Sequence, residues 1–299
     1  MSAHRALITG ASGQLGSDLQ EVLGQRGWQL DALTHADLDV TDDRAVGDAF
    51  EASHPEVVFN CAAFHNVDAC EAEEEMAAAV NFRAVKRLAQ HAHQANAALV
   101  HLSTNYVFDG RRADGGYAES DLPAPRSVYA VSKLAGEHAA LAYCERALVV
   151  RTAGLYGLHG SRSKGGNFVT RVLTRAREQG ELRMVADQRL NPTFTADLAV
   201  GLVAALEAGL HGHAHLTSSG ACSWHEFTEA ILELAGLEVP VEAVSTTTPP
   251  GGADRPLNGV LVSEAAPAAG LDALRHWREA LADYMGRAGH TRGECREIS

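Results

Sequence analysis

A short apolar strand, a glycine-rich turn and a helix open the chain, and apolar runs then alternate with helix-period segments as far as about residue 151. These observations predict an α/β fold: a Rossmann-like doubly wound parallel sheet with a smaller C-terminal lobe. Strands buried in such a sheet are covered on both faces and so need apolar residues on both sides. The runs VVF at 57–59, LVHL at 99–102 and LVV at 148–150 meet that need.

The first strand is expected over 6–8, where Ala6-Leu7-Ile8 precedes the glycine turn, and the first helix over 16–25. A second strand follows at 28–33, a helix at 42–52 and a buried strand at 57–59. The Ala-rich stretch 72–95 reads as one long helix, 98–102 as a strand, 129–143 as a helix and 147–151 as a strand. Beyond Gly154 the pattern loosens, with helices expected at 168–179, 195–208 and 224–235. Ser223 with Glu226 three residues on has capping-box spacing for the last of these. The stretch 246–256, rich in Pro, Gly and Thr, is not a regular element. The expected division is a dinucleotide-binding core over 1–153, with some later segments returning to it, a mainly substrate-binding, mostly helical lobe over 154–288 and a disordered tail over 289–299.

The 299 residues carry 25 Lys+Arg against 38 Asp+Glu, a formal net charge of −13. An acidic surface repels phosphate backbones, so nucleic acid and anionic membrane are not expected partners. No apolar run approaches the ~20 residues of a membrane span. The five cysteines are odd in number, scattered and without a CxxC pair, which fits a reducing cytoplasm rather than a disulfide framework. The 15 histidines show no HExxH or similar ligand spacing, so no metal site is expected.

Gly10, Gly13 and Gly16 are spaced GxxGxxG in Thr9-Gly-Ala-Ser-Gly-Gln-Leu-Gly16, between the first strand and the first helix. Glycines there permit a tight turn and close approach of a pyrophosphate to the helix N-terminus. The candidate cofactor residues of this loop are Gly10, Ser12, Gly13, Gln14, Leu15 and Gly16. Without a Gly-Lys-Ser/Thr sequence it is not a Walker A loop. An NAD site usually carries a carboxylate at the end of the second strand for the ribose 2′-hydroxyl. Thr34 and His35 stand there, so NADP(H) is expected, with NAD(H) as the alternative. Asp39 and Val40 lie where a carboxylate can meet the adenine amino group, and Asp39 reads equally well as a turn or cap residue.

Tyr129 and Lys133 form a YxxxK motif, and residues four apart share a helix face. A nearby ammonium favours the phenolate and would bring a tyrosine toward the range of acid–base work. YxxxK alone is equally a surface helix pair. The hydroxyls of Ser103 and Thr104 at the end of a strand raise its significance, because ligands of open parallel sheets bind beyond the carboxyl ends of the strands.

The glycine loop, strand-end hydroxyls and YxxxK, in this order, resemble the extended short-chain dehydrogenase/reductase superfamily. The runs Asn60-Cys-Ala-Ala63, Val67-Asp68, Asn81, Ser103-Thr-Asn-Tyr-Val-Phe-Asp-Gly110, Pro123-Ala-Pro125 and Tyr129-Ala-Val-Ser-Lys-Leu-Ala-Gly-Glu137 look like the dTDP-4-dehydrorhamnose reductase family. So do Arg151-Thr152, Tyr156-Gly157, Asn167-Phe168, Asp187-Gln188, Pro192-Thr193, Ser223-Trp224 and Arg255-Pro256.

The resemblance implies an NADPH-dependent reductase of a nucleotide-linked 4-keto sugar. Tyr129 would give a proton to the sugar C4 oxygen. Lys133 would lower the pKa of Tyr129 and hydrogen-bond the nicotinamide ribose, and Thr104 would bind the C4 oxygen with Ser103 in reserve. Asn105 and Tyr106 would line the sugar pocket, Ala62 and Ala63 would pack near the cofactor, and Asn167, Trp224 and Arg255 would hold the nucleotide. Trp224, at a helix start, reads equally as a core residue. The sequence departs from the family pattern at Asn105, where Asp is usual, and at Gly154, where Trp is usual, which implies a less charged and wider sugar pocket. A monomer or homodimer is expected. The alternative is a non-catalytic NADP-binding regulatory subunit, similar to the methionine adenosyltransferase beta subunit, or another nucleotide-sugar reductase or epimerase.

Overall fold

The computed structural model describes residues 4–159 and 166–291. β1 (Arg5–Thr9), β2 (Gln29–Leu33), β3 (Val57–Asn60), β4 (Ala98–Thr104), β5 (Ala147–Thr152) and β10 (Gly212–His215) form one six-stranded sheet in the order β10-β5-β4-β3-β1-β2. Every pairing in it is parallel. The chain passes from β1 outward to β2, then crosses back to place β3 on the other side of β1. That reversal opens a crevice beyond the carboxyl ends of β1 and β3.

Strand alternation sorts the core into two layers. Ala6, Ile8, Phe59, Val100 and Val150 face α1 (Gln14–Gln25) and α8 (Thr195–Glu207), packing on Leu15, Leu19, Leu23, Leu198 and Leu202. Leu7, Val58, Leu99 and Val149 face the opposite way, toward α2 (Asp43–Ser53) and α5 (Ala84–Gln94). α6 (Val128–Tyr143) covers the same face through Ala140.

The expected single helix over 72–95 is instead three pieces. α3 (Val67–Ala72) ends at Glu73, and α4 (Glu74–Ala78) runs into a π-helical turn (Ala79–Arg83) before α5. The wide turn carries Asn81, whose buried side chain accepts from Phe64 N (2.9 Å) and donates to Phe64 O (2.9 Å) and Ser132 Oγ (3.0 Å). A regular helix has no side-chain signal that marks such a turn, because the clamp is made by tertiary partners.

Within the stretch expected as the lobe, α8 and β10 belong to the core. The lobe itself is built on α7 (Phe168–Gln179), α9 (Trp224–Ala235) and α11 (Trp277–Arg287) around Tyr156, Phe194, Phe227 and Tyr284. Four two-stranded ladders supplement these helices, so the lobe is less helical than expected. They pair β6 (Leu155–Tyr156) with β9 (Thr193–Phe194), β7 (Leu182–Val185) with β13 (Val241–Val244), β8 (Arg189–Leu190) with β12 (Cys222–Ser223), and β11 (Ser218–Ser219) with β14 (Leu274–His276). The capping box of α9 is present, Ser223 Oγ accepting from Glu226 N and Glu226 accepting from Ser223 N. Of the expected tail, His290 N donates to Met285 O, and residues 292–299 lie outside the described residues. Among the described residues no helix is long and apolar enough to cross a membrane.

Candidate active site

The glycine loop sits in the crevice between β1 and β3. Gly10 adopts φ +68°, and a Cβ there would lie 2.8 Å from Ala62 N. A Cβ on Gly16 would lie 2.6 Å from Gly10 O. Both glycines are therefore required by close backbone packing. Gly13 is the N-cap of α1 and supplies no side-chain cap, so the helix start keeps N–H groups for a ligand. Gln14 Oε1 beside it is buried without a hydrogen-bond partner. An uncapped helix N-terminus beside a close-packed glycine turn fits the pyrophosphate of a dinucleotide. Leu15 is 6% exposed and belongs to the core, leaving its backbone to face the loop.

Asn60 joins this cradle to the sheet. Its Oδ1 accepts from Thr9 Oγ1 (2.8 Å) and Ala62 N (3.2 Å), and its Nδ2 meets His101 Nδ1 at 3.1 Å. The Ala62–Ala63 shelf is thus fixed against β1 and β4. At the end of β2, Leu33 O accepts from Ala11 N (3.1 Å), so that strand end also meets the glycine loop. The expectation that no carboxylate stands there is corrected. Asp37 folds back so that its Oδ2 accepts from Thr34 N (2.9 Å) and Thr34 Oγ1 (2.6 Å). The sequence separation of three residues had hidden it. His35 is exposed, Asp39 is occupied by Thr41 N (2.9 Å) and Thr41 Oγ1 (2.7 Å) as a turn residue, and Val40 is buried.

Strand alternation separates the two hydroxyls at the end of β4. Thr104 Oγ1 lies on the side of the Tyr129 phenol, donates to Asn105 Oδ1 (3.4 Å) and accepts from Tyr106 N (3.2 Å). Ser103 points the other way and donates to Glu137 Oε1 (2.5 Å). Ser103 is therefore not a reserve for Thr104.

Tyr129 lies in the first turn of α6, with Tyr106 edge-on at 5.7 Å between ring centroids. Lys133, one turn on and 2% exposed, donates from Nζ to Leu102 O (2.5 Å). Burial pulls the Lys133 ammonium down to about 8, against the nearby Glu137. Burial pushes the Tyr129 phenol above its ordinary value, and the neighbouring Thr104 hydroxyl only partly offsets this. The implied lowering of Tyr129 by Lys133 is thus corrected: a buried ammonium takes the strand-end carbonyl, and burial sets the direction at the phenol. A phenol held protonated is a proton donor, the form that reduction of a carbonyl needs.

Glu137, four residues beyond Lys133, was missed by sequence reasoning although its helical spacing continues the YxxxK face. It is fully buried and accepts from Arg151 Nε (3.0 Å), Arg151 Nη2 (2.7 Å) and Ser103, with His213 Nε2 at 3.2 Å. Burial alone would raise it, but these hydrogen bonds and the Arg151 charge hold it at about 2.

The remaining candidates divide. Arg255 reaches the site: it pairs with Asp68 (2.6 Å), and its charge acts on the Tyr106 phenol. It also lines a cleft of about 560 Å³ together with Asp109, Arg111, Arg126, Asp187 and Arg189. Asn105 is buried and donates from Nδ2 to Gly259 O (2.9 Å), a bond an aspartate could not make. Gly154 has φ +55°, and a Cβ there would meet Leu190 Cδ1 at 2.7 Å. Leu190 thus fills the space expected to be hollow. Asn167 is committed to the lobe, capping α7 and donating to Gly157 O (2.7 Å) and Tyr284 Oη (2.8 Å). The Trp224 ring packs on Phe168 at 4.3 Å between centroids, in the aromatic core of the lobe. Of its two readings, the core one fits these contacts.

A glycine-loop cradle at the sheet reversal, at the same sheet end as a buried tyrosine on a Tyr–Lys helix, is the arrangement of an oxidoreductase of the extended short-chain dehydrogenase/reductase class. Within that class the comparisons are specific. A family model described as RmlD substrate binding domain matches residues 4–289, and the chain belongs to that family. A dTDP-4-dehydrorhamnose reductase of Mycobacterium tuberculosis is 40% identical over 291 residues, covering 95% of this chain and 93% of that protein. A dTDP-4-keto-6-deoxy-D-glucose reductase of Streptomyces niveus is 37% identical over 281 residues, covering 93% of this chain and 95% of that protein. The crystal structure of dTDP-4-dehydrorhamnose reductase from Bacillus anthracis in complex with NADP superposes with a TM-score of 0.90 at 33% identity, covering 96% of this chain and 99% of that one.

Proposed function

We propose that the protein is an NADPH-dependent reductase of a nucleotide-linked 4-keto sugar, with a dTDP-linked 4-keto-6-deoxyhexose such as dTDP-4-dehydrorhamnose as substrate. The observation that carries this reading is the buried Tyr129 phenol set next to Tyr106 and the strand-end Thr104, at the same end of the sheet as the glycine cradle. The nicotinamide supplies the hydride when bound. Tyr129 gives its phenolic proton to the C4 oxygen, and Thr104 hydrogen-bonds the same atom. Lys133, anchored on Leu102 O, holds its ammonium one helical turn on from Tyr129. Gly10, Gly13 and Gly16 with the start of α1 hold the pyrophosphate, and Ser12 and Gln14 border it.

The cleft beside Arg255 takes the nucleotide diphosphate. Arg111, Arg126 and Arg189 bring positive charge to an otherwise acidic protein. Tyr106 and Asn105 border the sugar between that cleft and Tyr129. The protein acts in the cytoplasm as a monomer or homodimer. The test is oxidation of NADPH by the purified protein against a panel of dTDP- and UDP-linked 4-keto sugars. Turnover confined to dTDP-linked 4-keto-6-deoxyhexoses is expected, and loss of nicotinamide absorbance with none of them rejects the reading.

A further inference from the structure

We propose that Asp37 sets the balance between NADPH and NADH, accepting the ribose 2′-hydroxyl of NADH and opposing the 2′-phosphate of NADPH. The inference rests on the dinucleotide reading of the glycine cradle and adds the residue that tunes it. In sheets of this kind the adenosine ribose lies at the carboxyl end of the second strand. Here that end is Leu33, tied to the glycine loop through Ala11 N. The next residue, Thr34, holds the Asp37 carboxylate by two hydrogen bonds, both to Oδ2. Oδ1 receives none among the described residues, and a carboxylate has acceptor capacity to spare. The bonds from Thr34 also lower the Asp37 pKa, so the group is anionic at neutral pH.

The two loop segments themselves supply no Lys or Arg to neutralise a phosphate. Residues 9–16 and 34–40 contain no Lys or Arg, and the one basic side chain, His35, is exposed. A dianionic phosphate placed there meets a held carboxylate and no cation from these two segments, whereas a hydroxyl meets an acceptor. The pyrophosphate contacts are common to both dinucleotides, so the protein takes both, and Asp37 decides the ratio.

The experiment measures dissociation constants of NADPH and NADH for the full chain by nicotinamide fluorescence, in wild type, Asp37→Asn, Asp37→Ala and Thr34→Val. Removing the charge is expected to tighten NADPH about tenfold and to weaken NADH severalfold, the scale of one charge-assisted contact. Thr34→Val removes one of the two bonds that fix the carboxylate but keeps the charge, so its NADPH affinity moves by less than that of the Asp37 variants. An NADPH-to-NADH affinity ratio unchanged in both Asp37 variants overturns the proposal. So does equal tightening of NADPH in Thr34→Val, which would assign the effect to the turn. Failure of wild type to bind either dinucleotide overturns the cradle reading, and this proposal with it.

Discussion

Glu137→Gln tests how the buried cluster beneath the site is held together. The substitution keeps shape and removes one charge. Arg151, 2% exposed, then keeps its guanidinium in the interior with no counter-charge. Breaking a buried pair by removing one partner costs about 3–5 kcal/mol. The depressed Glu137 carboxyl leads to the same magnitude. Glu137 is lowered from 4.5 to about 2 on folding, which is worth about 3 kcal/mol. Because the folded value is depressed, this stability is complete above pH 4.5 and is lost as pH falls toward 2. Urea unfolding of wild type and Glu137→Gln from pH 7 down to the lowest pH at which both fold should therefore show a gap of about 3 kcal/mol at neutral pH. That gap should narrow steadily below pH 4.5. Taking the difference between the two proteins cancels the other carboxylates. A gap below about 1 kcal/mol at pH 7, or one that stays constant with acid, refutes the account of the cluster.

Tyr129→Phe should lower turnover by ~10²–10⁴ while NADPH still binds, because only the transferable proton is removed, and paired rate and fluorescence measurements check this. Gly10→Ala should abolish dinucleotide binding, since the new Cβ lands 2.8 Å from Ala62 N in a left-handed backbone, and calorimetric titration reads it directly. Asn105→Asp should destabilise the protein by ~1–3 kcal/mol, as a buried carboxylate would face Gly259 O, and thermal melting reports the loss. Lys133→Met should abolish turnover yet unfold at higher urea than wild type at pH 7. The wild-type lysine is lowered from 10.5 to about 8, so its burial penalty is present below pH 8 and relieved between pH 8 and 10.5, where the difference should close.

The parts of the molecule legible in the sequence are those written in local pattern. α7 and α9 fall where periodicity and caps place them, and the alternating strands declare the sheet, because burial on two faces leaves a mark in every residue of β3, β4 and β5. The YxxxK face and the strand-end Thr104 were visible for the same reason. What was not legible is held by distant partners. The two-residue strands of the lobe, β6, β8, β9, β11 and β12, are too short to carry a period and exist through their pairings. Asp37 reaches the end of β2 only through a turn closed by Thr34, and nothing in the composition of that turn says which way the carboxylate folds. Motif position points Asn167, and one of the two readings of Trp224, toward a ligand, yet their contacts are with Tyr284, Gly157 and Phe168. The order of residues says that a polar or aromatic group is present, while only packing says whom it serves.

The return of α8 and β10 to the core has a consequence for how the chain is made. A ribosome that has released the first 152 residues has produced five of the six strands, but the outer edge of β5 still shows its row of unpaired N–H and C=O groups. The apolar stripe of α1 likewise waits for Leu198 and Leu202. Both are covered only after synthesis reaches His215, by which time α7 and the start of the lobe have emerged. The nascent chain therefore passes through a long interval with an open sheet edge and a bare helix face, the surfaces on which chains associate wrongly. Cutting the protein after residue 153 would make that interval permanent, so the dinucleotide-binding half and the lobe are one folding unit rather than two exchangeable modules.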